Sequence, residues 1–194
     1  MVPTPTEEGL QCTNGMSNSR RNAKFANAGI VVTVSVQDFE REGFRGPLAG
    51  LEFQRHWEQK AYELGGGRFY APAQTIPDYL AGRVTKDPGA TSYRPGIVKM
   101  DLNRLFPERL TQSIKQALRG FDRKMRGFIS DEGKLIGIES RTSSPLRITR
   151  GEDLQSVSLK GLYPGGEGCG YAGGIVSSAI DGLRIAEQIA TELS

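Results

Sequence analysis

Residues 159–175, Leu159-Lys-Gly-Leu-Tyr-Pro-Gly-Gly-Glu-Gly-Cys-Gly-Tyr-Ala-Gly-Gly-Ile175, decide the reading of this chain. They predict a strand, a glycine-rich turn and a helix running to about Leu193. A turn of that kind points backbone N–H groups and the positive end of a helix dipole at an anion. Within it, Gly168-Cys-Gly-Tyr-Ala-Gly173 matches G-x-G-x-x-G. A dinucleotide fingerprint also needs a second strand with an acid for the ribose, roughly 20 residues on. Here Glu187 and Glu192 fall inside the helix, and no second strand follows. The motif therefore reads as the last strand and last helix of a nucleotide-binding domain, not its opening unit.

Working outward, Ala172, Ile175, Val176, Ala179, Ile180, Leu183, Ala186, Ile189 and Leu193 recur at intervals of three and four, the pattern of an amphipathic helix beginning near Gly170. Gly173, Gly174, Ser177 and Ser178 keep its first turns small, which lets another strand or a ligand approach. Upstream, short strands are predicted at 135–139, 146–149 and 157–163. A helix is expected from Pro107 to about Arg126, with Leu110, Ile114, Leu118 and Phe121 on one face. Its other face carries Arg109, Lys115, Arg119, Arg123 and Lys124, which reads as a solvated face ahead of a phosphate site. A further helix is expected over 47–64, with Trp57 as a core anchor and Gly65-Gly-Gly67 as its stop. Ile30-Val-Val-Thr-Val-Ser-Val36 is the clearest predicted strand, followed by a charged connection over 38–46. Residues 1–29 and 68–100 read as irregular, with a short helix over Ile76–Ala81.

Composition narrows the classes. The chain has 194 residues, 25 glycines and a net charge of +3, from 25 basic and 22 acidic side chains. That small excess does not point to nucleic acid or a membrane surface. Two cysteines, Cys12 and Cys169, and one histidine, His56, make neither a disulfide framework nor a metal cluster. No apolar run approaches the ~18 residues of a membrane span, and the opening residues are not a signal peptide, so a cytoplasmic location is expected. Cys169 adjoins a helix start, where thiol pKa values fall, but it reads first as a small space-filler.

Several segments share a resemblance. The stretch from Gly161 to Gly182 resembles the C-terminal signature of a bacterial family of FAD-dependent dehydrogenases, uncharacterised NAD(FAD)-utilising oxidoreductases with a glutathione-reductase-like flavin domain. Thr13-Asn-Gly-Met-Ser-Asn18, Pro47-Leu-Ala-Gly-Leu-Glu-Phe-Gln54, Ala71-Pro-Ala-Gln74, Ser92-Tyr-Arg-Pro-Gly96, Glu139-Ser-Arg-Thr-Ser-Ser-Pro145 and Asp153-Leu-Gln-Ser-Val157 resemble family segments in the same order. The resemblance implies an α+β chain: an inserted substrate domain over 1–153, with short strands and two amphipathic helices, then the terminal strand and helix of an FAD-binding Rossmann-like domain over 154–194. The N-terminal part of that flavin domain, with its own G-x-G-x-x-G, is absent from this sequence and is the expected partner.

Carried over residue by residue, the resemblance implies cofactor contacts from Gly166, Glu167, Gly168, Gly170, Tyr171, Ala172, Gly173 and Gly174. Glu167 would meet the ribityl or pyrophosphate region, and the helix start would face the isoalloxazine C2 carbonyl. Arg141, Thr142, Ser143 and Ser144 are the candidate contacts to a small-molecule substrate or to the flavin, because a guanidinium and three hydroxyls suit an anion or carbonyl. Gln74 and Arg94 are secondary candidates for the same cleft. NADH or NADPH is the expected reductant, and no catalytic base is evident. The opposing reading is a stand-alone binding module without flavin.

Overall fold

The computed structural model describes residues 1–4 and 6–193. They form two compact units, Met1–Ser35 with Arg55–Ser140, and Val36–Gln54 with Arg141–Ser194.

The first unit is built on a three-stranded sheet of β3 (Ala71–Thr75), β4 (Ile97–Lys99) and β5 (Lys134–Ile136), in the order β4-β3-β5. β3 pairs parallel with β4 and antiparallel with β5. It lies in the stretch expected to be irregular. Pro72 hid it, because proline is rare in a central strand. The ladder loses nothing here: Ala71 N–H donates to Gly96 and Met100 N–H to Ala73, while Pro72 offers its carbonyl to Gly137. Every β3 residue is buried.

β3 runs directly into α3 (Ile76–Ala81). The hydroxyl of Thr75 accepts from Asp78 N–H, Pro77 occupies the first turn, and Gly82 closes the helix at φ +68°. Arg83 bonds Asp78 at 2.8 Å and holds its carboxyl below the usual carboxylate range. α2 (Ala49–Leu64) and α4 (Glu108–Lys124) match the periodicity that predicted them, except that Pro107 caps α4 instead of opening it. In this unit α2 buries Trp57 and Ala61; Trp57 packs on Phe106 with ring centroids 5.8 Å apart. From α4, Leu110, Thr111 and Leu118 are buried. A small ribbon, β1 (Val2–Pro3) with β2 (Thr13–Asn14), completes the unit.

Residues 30–36 do not form the predicted strand; 30–35 lie outside regular secondary structure, and Val36 opens α1 (Val36–Arg41) where a connection was expected. β-branched residues favour extended backbone, but a strand exists only where a second edge accepts its hydrogen bonds.

In the second unit, Phe39 and Phe44 pack on Phe53 with centroids 5.2 and 5.7 Å apart. The strands expected at 146–149 and 157–163 are absent; an isolated antiparallel bridge joins Arg150 to Ser156 instead. The closing helix, α5, spans Ile175–Leu193, five residues later than the expected start at Gly170. Gly170 at φ +82° and the bend at Gly173-Gly174 hold the chain outside helical geometry, and the first helical bond runs from Ser178 N–H to Gly174. No described helix is long and apolar enough to cross a membrane.

Candidate functional site

The glycine-rich turn lies wholly in the second unit, and three side chains clamp it. Arg150 forms a two-pronged ion pair with Asp181 at 2.6 and 3.0 Å, and both side chains are largely buried. The same guanidinium donates to the Pro164 carbonyl at 2.7 Å and lies 3.8 Å from the centroid of the Tyr171 ring. Asp181 also accepts the Gly166 N–H at 2.8 Å. The Tyr171 hydroxyl accepts from Arg150 N–H and donates to the Ile148 carbonyl. Charge-assisted bonds of this kind are the strong ones. Arg150 and the Gly166 N–H hold the Asp181 carboxyl below its ordinary value, and Asp181 raises the Arg150 guanidinium.

The glycines of the turn divide into two kinds. Gly170 is required by packing, whereas Gly165 faces only the tip of the Ile185 side chain, which can shift. A Cβ on Gly165 would run into Ile185, and one on Gly170 would sit 2.5 Å from the Leu146 carbonyl. Gly168 and Gly173 are different: a Cβ on either meets nothing within 4 Å. Both are exposed, as are Glu167 and Gly174. The turn binds itself through Gly170 N–H to Glu167 and Tyr171 N–H to Gly166. The N–H groups of Gly168, Ala172 and Gly173 have no acceptor among the described residues. The first N–H groups of α5 are open by the nature of a helix start. Backbone donors of this kind beside a helix start are chemically suited to an anion or a carbonyl oxygen.

The proposed substrate residues are brought together only in part. The Ser144 hydroxyl donates to the Leu146 and Gly168 carbonyls, at 2.9 and 3.2 Å, so it braces the turn. Arg141, Thr142 and Ser143 are exposed in the same unit. Gln74 does not line a cleft. It is fully buried in the first unit, donating to the Arg83 carbonyl and accepting from Leu102 N–H, which ties β3 to its neighbours. Arg94 is exposed in that unit. The Cys169 carbonyl accepts from Ile148 N–H, a backbone role independent of the thiol. Among the described residues, no group of three His, Cys, Asp or Glu side chains converges to hold a metal.

Sequence reasoning passed over Arg150 and Asp181, the pair that shapes the turn. The available signal was Asp181, a carboxylate one position from Ile180 in an otherwise apolar helical stripe. Its partner lies 31 residues away, with no periodicity to link them.

Residues 1–142 match the sequence profile described as FAD-dependent protein, C-terminal domain-like. The chain belongs to that family. A relative in Clostridium beijerinckii, described as an uncharacterized protein, is 42% identical over 191 residues, covering 97% of this chain and 35% of its own length. The chain thus spans about a third of the relative it matches. The clamped turn of this FAD-dependent protein C-terminal domain lies beyond residue 142, outside the family profile, but within the reach of that longer alignment.

Proposed function

We propose that this chain is the C-terminal portion of an FAD-dependent oxidoreductase, and that the clamped glycine turn and the start of α5 form one side of its flavin site. One observation carries the reading: a turn rigidly held by Arg150 and Asp181 presents unpaired N–H groups at glycines that the fold does not need for space. The residues present fit such a group. A phosphate-bearing nucleotide seeks backbone donors at a helix start, and Gly168 and Gly173 leave room for its close approach.

In this reading Gly166, Gly168, Gly170, Tyr171, Ala172, Gly173 and Gly174 shape the cradle, and Glu167, exposed at its lip, accepts a hydroxyl or water beside the pyrophosphate. The α5 dipole stabilises nearby negative charge by about 0.3–1 kcal/mol if that charge is solvated. Bound flavin would supply hydride acceptance; the chain supplies orientation and electrostatics. Arg141, Thr142 and Ser143 remain the proposed substrate contacts.

The rest of the cradle belongs to a longer chain, consistent with the length of the relative. The apolar face of α5 supports this: Ile175 is 92% exposed, Val176 71% and Leu183 65%, a face without a cover among the described residues. The predicted division, an inserted substrate domain over 1–153 and a flavin segment over 154–194, belongs to the same proposal.

The test is the visible absorbance of the full-length protein, followed by anaerobic titration with NADH and with NADPH. Gly173→Leu in that protein is expected to abolish flavin retention while leaving the fold intact, because the site is open in the folded chain. Unchanged flavin content in a folded Gly173→Leu protein defeats the assignment. A colourless full-length protein that does not take up FAD favours a binding module without flavin.

A further inference from the structure

The first unit contains a cavity of about 410 Å³, within the range of small-molecule sites. Its residues all belong to that unit, so it is defined independently of the glycine turn. Phe25, Leu105, Phe106, Ile114, Leu118 and Ile138 make its walls chiefly apolar. The recess is partly open to solvent, so its apolar lining faces water unless a ligand covers it.

The polar groups define that occupant. Among the described residues Lys134, half-buried, is the one cationic side chain in the lining; the Met1 ammonium, bonded to the Ser92 hydroxyl at 2.9 Å, also lies there. The Lys134 ammonium donates to the Ala90 carbonyl at 2.7 Å and lies 5.8 Å from the Phe25 ring centroid. No carboxylate among the described residues pairs with it. The two acids of the lining, Glu132 and Glu139, are exposed to solvent. An ammonium has three donors, and one is used. The ammonium's bond to Ala90 is exposed, so Lys134 offers its remaining donors at the solvent side of the recess, where an anionic group gains more from them than a neutral one. We propose that this cavity binds an organic anion with an apolar, aromatic body, a carboxylate or its equivalent, with the anion on Lys134 and the body against Phe106 and Ile114. The inference rests on the first unit alone and stands whether or not the second unit holds flavin.

The reporter is already present. Trp57 is the only tryptophan, and it packs on Phe106 in the cavity wall. Two probes share an aromatic body and differ in charge: 8-anilinonaphthalene-1-sulfonate, an anion, and N-phenyl-1-naphthylamine, neutral. Both are titrated into the 194-residue chain, and energy transfer from Trp57 is followed. Both are expected to bind, the anion more tightly. Lys134→Gln is expected to weaken the sulfonate about tenfold or more and to leave the neutral probe unchanged. Ile114→Phe, which fills the cavity, is expected to remove transfer to both. Ala90→Phe enlarges an exposed lining residue without touching the core and serves where Ile114→Phe does not fold. Equal sulfonate affinity in Lys134→Gln overturns the anion assignment. Transfer that survives both filling variants in folded protein overturns the site itself.

Discussion

Asp181→Asn removes the charge on one side of the clamp and leaves the Arg150 guanidinium buried without its counter-ion. The Arg150 and Asp181 side chains are only 11% and 8% exposed, so solvent screens the pair little. Breaking a buried pair from one side costs about 3–5 kcal/mol. The lower end applies, since Arg150 keeps its bond to the Pro164 carbonyl and its place on the Tyr171 ring. About 3 kcal/mol corresponds to a fall in Tm of roughly 6–12 °C for a chain of this size. Thermal and urea unfolding followed by far-UV circular dichroism measure it. The double variant Arg150→Met with Asp181→Leu is expected to recover much of the loss, because it leaves no uncompensated charge. The pH dependence has a definite sign. The Asp181 carboxyl is held below its ordinary 3.8, so the pair contributes fully above that value and is lost as pH falls through the folded one. The gap between wild type and Asp181→Asn is therefore constant above about pH 5 and closes below pH 3.8. A loss under about 1 kcal/mol at neutral pH, or a gap that widens in acid, refutes the clamp.

Three other perturbations follow from the same geometry. Gly170→Ala forces a side chain into φ +82° against the Leu146 carbonyl and is expected to cost at least 1–3 kcal/mol in urea unfolding, whereas Gly168→Ala, with free space around it, stays within about 0.5 kcal/mol; equal effects would contradict the division between packing glycines and open ones. Leu118→Ala, at a fully buried position in α4, is expected to lower stability by about 2–5 kcal/mol, and a smaller loss would mean the neighbouring cavity has relaxed to absorb it. Replacing Ile175 and Leu183 together by Lys is expected to reduce self-association of the 194-residue chain in sedimentation velocity and, in the full-length protein, to weaken flavin retention; a monomer insensitive to the change would show the α5 face is not sticky.

Where local signals act alone, the chain was legible. α2 and α4 lie where apolar spacing and the Gly65-Gly-Gly67 stop put them, and α3 spans the expected Ile76–Ala81, with a Thr75 cap that the structure reveals. α5 was recognised but started too early, because its stripe includes Ala172 while the glycines before Ile175 break helical bonding. Strands were the poorest part. Residues 30–36 have strand composition and no ladder, while Ala71–Thr75 has a proline and forms the centre of the sheet. The glycine turn stood out in the sequence, but its clamp did not.

From the amino-acid order alone came α2 to α5, the glycine turn and the family resemblance, because these depend on residues within a few positions of one another. Tertiary structure alone decided which strand paired, which glycines serve packing and which stand open, and that Arg150 meets Asp181. Each of these depends on groups far apart in the chain, and a hydrogen bond, a steric conflict or an ion pair exists only once folding has brought its second partner within reach.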